Sequence, residues 1–155
     1  MRQQVSVSAL IDRCGAVLVL RRSQKESFLP GIFGLPGGKV EFGESPEMTI
    51  RREIAEETSL QVTNAVLVGA RSYLTIEGSQ HNVELLYFVR LPIEKSTVLL
   101  SDAHEEYRWI RADEVDQLYL PDGDPIKVVL QDYFSCLDGP ELQLLSWPNR
   151  VEYGR

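Results

Sequence analysis

The sequence predicts an α+β fold, with strands paired mostly antiparallel around an interposed helix. Three features predict it. Residues 5–11 and 16–20 are alternating, β-branched segments separated by Asp12-Arg13-Cys14-Gly15, which is a hairpin pattern. Residues 72–76 and 82–91 form a second such pair around Glu77-Gly78-Ser79. Between the pairs, Ser45-Pro46 supplies a good N-cap and a residue suited to the first helical turn. A helix of about three to four turns should run from there to near Ser59.

The remaining elements follow in order. Arg21, Arg22 and Lys25 make a small basic cluster, read equally well as a solvated edge or as a phosphate contact. Phe33 is a packing residue under the loop that leads to Pro36-Gly37-Gly38. Two residues without a Cβ allow that backbone to turn tightly or to approach a ligand. Residues 61–70 read as a strand. Residues 82–91 carry apolar side chains on both faces and should lie centrally. His81 reads as a surface or hydrogen-bonded residue, and nothing in the sequence requires His104 to do more than touch phosphate. Residues 105–110 form a short strand, residues 112–118 a short helix, and Asp124 caps a last helix over residues 126–137. Its buried face is Ile126, Val129, Leu130 and Tyr133. The domain is thus residues 1–137. Residues 138–155 have no clear period, and Leu142, Leu144, Leu145 and Trp147 mark a tail that packs on the domain or at a homodimer interface.

Composition narrows the function. With 155 residues, 43% hydrophobic and 25% charged, the chain suits one soluble globular domain. A net charge of −7 argues against nucleic acid as a partner, which needs a basic stripe. It leaves room for small phosphorylated substrates, because bound metal reverses the local charge. Cys14 and Cys136 form no metal-ligand spacing, and free thiols in a reducing compartment are expected. The first residues lack the apolar run of a signal peptide, and no stretch is long enough to span a membrane. A cytoplasmic location with no membrane partner is the expectation.

On the helix, Glu53, Glu56 and Glu57 fall within an arc of roughly 100°. Close carboxylates on one stripe repel by roughly 0.2–0.5 kcal/mol per pair even in solvent. Hard divalent cations with oxygen ligands would relieve that repulsion. Taken alone, the arc reads more simply as a solvated acidic face.

The surrounding residues change that reading. Gly38, five residues, Glu44, seven residues, then Arg52-Glu53-Ile54-x-Glu56-Glu57-x-Ser59-Leu60 resembles the Nudix box, G-x5-E-x7-R-E-U-x-E-E-x-G-U with U a bulky aliphatic residue. Each fixed position matches except Ser59, which replaces the final Gly. A residue there often adopts the left-handed conformation, so Ser should cost about 1 kcal/mol without touching the chemistry. The Phe33-Gly34-Leu35-Pro36 approach and the later Arg108-Trp109-Ile110 and Ala112-Asp113-Glu114-Val115 segments are also similar to Nudix domains.

The resemblance implies a MutT-like Nudix hydrolase: an α/β/α sandwich, a mixed sheet with the box helix packed on it. It implies Mg²⁺ or Mn²⁺ as cofactor and a nucleoside diphosphate linked to another moiety as substrate. That class covers nucleoside triphosphates, oxidised nucleotides and nucleotide sugars, between which the box does not choose. Glu56 and Glu57 would bind metal, and Glu53 would bind metal or take a proton from water. A carbonyl of Gly37 or Gly38 would complete the shell. Arg52 would pair with Glu44 as a strut. Many members add a carboxylate just before the late strand; here that position is Ala103, so Glu105, sharing a strand face with Tyr107 and Trp109, is expected to supply it, with Asp102 as second choice. The other readings are an RNA 5′-end pyrophosphohydrolase, disfavoured by the acidic charge, and a non-catalytic nucleotide-binding module, disfavoured by the three intact glutamates.

Overall fold

The computed structural model describes residues 2–75, 79–95, 97–120, 124–137 and 151–152. Strand β1 (Arg2–Arg13) and strand β2 (Ala16–Arg22) meet in the hairpin expected at Asp12–Gly15, with Cys14 and Gly15 at positive φ. Their pairing stops after Asp12↔Val17, and the strands then diverge to other partners. Two short strands, β3 (Phe33–Gly34) and β4 (Gly37–Lys39), follow, then helix α1 (Pro46–Thr58), strands β5 (Val66–Thr75), β6 (Gln80–Arg90) and β7 (His104–Ile110), helix α2 (Pro125–Leu137) and β8 (Val151–Glu152).

The eight strands form one mixed sheet in the order β3-β2-β1-β6-β5-β8, with β4 on β1 and β7 on β2. The β1–β6 and β5–β8 pairs are parallel, and the others are antiparallel. The central position of β6, between β1 and β5, agrees with its apolar residues on both faces. Residues 61–70 and 72–76 do not form two strands: β5 is one strand from Val66 to Thr75, with Val68 as an extra residue against β6. Residues 112–117 form a 3₁₀ helix. The expected turn at Glu77-Gly78 and the tail at 138–150 and 153–155 lie outside the described residues.

A separate core covers each face of the sheet. On one, Val7, Ala9, Ile11, Leu18, Leu20, Tyr87 and Val89 meet Ile50 and Ile54 of α1. On the other, Leu10, Val17, Val19, Leu86 and Ile110 meet Val129, Leu130 and Tyr133 of α2. The alternation of β1 sends its odd residues to α1 and Leu10 to α2. Ile50 and Ile54 are fully buried, each worth about 1.5–3 kcal/mol, and this fixes the rotation of α1. The α2 face also holds a buried ion pair, Arg71–Glu84, with Glu84 accepting a further hydrogen bond from Ser8. Asp124 caps α2 through Oδ1, which accepts from the Ile126 amide at 2.8 Å. Among the described residues no helix is long and apolar enough to cross a membrane.

Candidate functional site

Helix α1 is built as its sequence predicts. The Ser45 hydroxyl accepts from the Met48 amide at 3.2 Å, and Pro46 opens the first turn. The helix ends at Ser59, which is left-handed at φ 59° and donates its amide to the Ala55 carbonyl. The Ser59 hydroxyl also reaches the Leu99 carbonyl at 3.3 Å, a contact the sequence did not reveal. With Ile50 and Ile54 facing the sheet, the carboxylate stripe flanks the Gly37-Gly38 strand.

Arg52 organises the outer part of the stripe. Its Nε and Nη2 donate to both oxygens of Glu44, at 2.8 and 3.0 Å, which is the bidentate strut expected. Its Nη1 donates to Glu53 at 2.9 Å and Glu56 at 3.1 Å. The buried Thr49 hydroxyl adds a donor to Glu44 at 2.9 Å. Arg52 first, then Thr49, hold the Glu44 carboxyl well below its usual range, at about 2, and Arg52 is raised in turn by Glu44.

Glu57 differs from its neighbours. Glu56 is 60% exposed, whereas Glu57 is only 14% exposed. Its Oε2 accepts from the Gly37 amide at 2.9 Å, which ties the helix to β4. Burial pushes the Glu57 carboxyl up to about 8; the Gly37 hydrogen bond opposes the shift, Glu53 adds to it, and Arg22 opposes it. Glu53 is also raised, mainly by burial, against the pull of Arg52.

Gly37 is required sterically, and Gly38 leaves room for the Glu53 carboxylate. Gly37 has φ +155°, and a Cβ there would strike the Val7 carbonyl; a Cβ on Gly38 would collide with the Glu53 carboxylate. The glycine backbone therefore lies directly against the acidic stripe.

Strand β7 departs from the expectation. Leu20 faces Tyr107 and Arg21 faces Glu106, but Arg22 faces His104, so Glu105 is an extra residue in the ladder. Beyond that bulge the alternation inverts. Leu18 and Leu20 belong to the α1 face, Arg22 continues it, and His104 opposite Arg22 joins it. His104 is buried with Nε2 3.7 Å from Glu57 Oε1. Glu105 does not follow Trp109 as expected: its carboxylate is taken up by Arg21 at 2.5 Å and lies 3.4 Å from the Gln24 amide. Tyr107, opposite Leu20, is 41% exposed. Asp102 is exposed on the turn before β7. A strand read with unbroken alternation cannot show such a bulge.

Glu44, Arg52, Glu53, Glu56, Glu57, Gly37 and Gly38 are thus brought together, and Glu105 is held by Arg21. Among the described residues, no three acidic, histidine or cysteine side chains already form a cluster able to hold a cation. Arg52 draws Glu53 and Glu56 to one side while Gly37 holds Glu57. The donor set nonetheless fits a hard divalent ion: carboxylate oxygens, adjacent glycine carbonyls, and a buried Glu57 whose negative charge lacks full compensation.

Helices α1 and α2 thus cover opposite faces of the sheet in three layers, with the acidic helix against the Gly37-Gly38 strand. Residues 2–132 match the family model for the NUDIX domain, and the chain belongs to that family. It is similar to the nucleoside triphosphatase NudI of Salmonella arizonae, 28% identical over 123 residues that cover 74% of this chain and 86% of that protein. Among solved structures it resembles a MutT NUDIX hydrolase from Burkholderia pseudomallei, 28% identical with a TM-score of 0.70, covering 84% of this chain and 98% of that one. A MutT protein from Methanosarcina mazei gives 27% identity and a TM-score of 0.70, covering 88% and 94%. The protein is a MutT-like Nudix pyrophosphohydrolase, and enzymes of this family generally use divalent metal ions.

Proposed function

We propose that this protein hydrolyses a nucleoside triphosphate to the monophosphate and pyrophosphate, with Mg²⁺ or Mn²⁺. One observation carries the reading: a buried, under-compensated Glu57 beside Gly37-Gly38, on the same helix stripe as the braced pair Glu53 and Glu56. The similarity to a protein named a nucleoside triphosphatase supports the choice of substrate within the wider class of nucleoside diphosphate derivatives.

When bound, the cation neutralises phosphate oxygens and activates water. The chain's residues divide the remaining work. Glu56 and Glu57, with a carbonyl of Gly37 or Gly38, would hold the cation. Glu53, raised by burial, takes the proton from the attacking water. Arg52, fixed by Glu44 and Thr49, keeps Glu53 and Glu56 oriented. Arg22 lies close enough to Glu57 and His104 to act on both electrostatically, while its guanidinium donates to Glu26 and to the Phe28 carbonyl. The expected contribution of Glu105 is replaced by its pairing with Arg21.

The test is product release over a panel of ribo- and deoxyribonucleoside triphosphates, oxidised nucleotides and nucleotide sugars, with Mg²⁺, with Mn²⁺ and with chelator. Triphosphates should yield monophosphate and pyrophosphate only with metal. Preferential turnover of nucleotide sugars, or metal-independent turnover, would overturn the proposal.

A further inference from the structure

We propose that His104 is a positioning residue for Glu57: its Nε2–H faces Glu57 Oε1 and, together with the Gly37 amide on Oε2, sets the plane in which that carboxylate meets a divalent cation. The inference rests on the reading of Glu57 as a cation-binding group.

The backbone places His104 there independently of its imidazole. The segment before β7 is tied to the end of α1 by the Leu99 amide on the Thr58 carbonyl at 2.9 Å and the Ser101 amide on the Glu57 carbonyl at 3.2 Å. The His104 amide closes onto the Ser101 carbonyl at 3.1 Å, and the Ser23 amide holds the Ala103 carbonyl at 2.8 Å. The bulge at Glu105 then turns the His104 side chain toward Arg22 and α1.

The two ring nitrogens differ. The side chain is 5% exposed, and Nδ1 has no hydrogen-bond partner among the described residues. A proton on Nδ1 would be a buried N–H without an acceptor, which folded proteins rarely contain. The proton therefore belongs on Nε2, which faces Glu57. The same point argues against His104 as a metal ligand, since a ligating imidazole almost always donates its other N–H to a partner. At 3.7 Å the contact is longer than a hydrogen bond, so the Nε2–H would act on Glu57 as a carboxylate only once a cation has displaced the Glu57 proton. Gly37 already fixes Oε2 at 2.9 Å, and a donor facing Oε1 favours the rotation that keeps Oε1 toward β7.

The test uses the whole protein and its His104→Gln and His104→Phe variants. Free Mn²⁺ is followed by electron spin resonance during titration, the His104 tautomer of the metal-free protein by long-range ¹H–¹⁵N correlation, and folding by circular dichroism. The spectrum should show the Nε2–H form. His104→Phe should bind Mn²⁺ roughly 10-fold more weakly, the usual cost of losing a partner to a metal ligand. His104→Gln, which keeps a donor at that distance along the side chain, should recover most of the loss. At saturating Mn²⁺ the KM for nucleotide should stay unchanged, so the defect lies in cation binding. An Nδ1–H tautomer, or a folded His104→Phe protein that matches wild type in Mn²⁺ affinity, would overturn the inference alone. Failure of the wild-type protein to bind Mn²⁺ would overturn the cation reading beneath it as well.

Discussion

Glu44, Glu53 and Glu57 are the same chemical group in three electrostatic states. Arg52 and Thr49 hold Glu44 down to about 2, whereas burial pushes Glu57 up to about 8 from its ordinary 4.5. The sign of the stability effect follows. Between about 4.5 and about 8 the folded protein keeps a Glu57 proton that the unfolded chain has lost. The unfolded state then binds fewer protons, so stability falls as pH rises through that window. On the proposed function, a divalent cation would take the place of the proton. The increase in Tm on adding Mg²⁺ should therefore grow from pH 5 toward pH 8 and then level off, and Glu57→Gln should flatten it. A metal-induced shift independent of pH in the wild-type protein would contradict this account of Glu57. At this scale the sequence showed the carboxylate stripe and the Arg52–Glu44 pair, because helical periodicity and motif spacing are both local. It did not show how the charges are graded, since that depends on Thr49, Gly37 and burial across the sheet.

At the scale of elements, helix α1 was legible and strand β7 was not. Helix signals are local: Ser45 caps, Pro46 starts, and a left-handed Ser59 stops. Ser59→Gly removes the Cβ penalty of about 1 kcal/mol but also loses a 3.3 Å hydroxyl contact to Leu99. The expected result is a stability gain below about 1 kcal/mol with kcat unchanged, measured by chemical denaturation. A net loss of stability would show that the Leu99 contact outweighs the backbone strain. In β7 the decisive feature is the extra residue at Glu105, which places His104 rather than Glu105 on the α1 face. A bulge is a property of two paired strands, and nothing in residues 104–110 alone announces it. The one-strand form of β5 is similar in kind, because only its pairing with β6 reveals Val68 as the extra residue.

At the scale of the molecule, the sheet separates two cores, and the site forms on the α1 side where β1, β4 and β7 converge. The α+β class was legible from the order of strand and helix patterns, and the helix packed on a mixed sheet from the family resemblance. The parallel β1–β6 pairing was not, because it joins strands far apart in sequence. This framework presents the α1 carboxylates to the Gly37-Gly38 backbone, and the central claim is that they hold the catalytic divalent ion there. The most direct measurement is Mn²⁺ titration and turnover of Glu56→Gln and Glu57→Gln beside the wild-type protein, with folding checked by circular dichroism. The account predicts that both variants fold, bind Mn²⁺ more weakly and lose most turnover. Folded variants with wild-type Mn²⁺ affinity and near wild-type rates would contradict it.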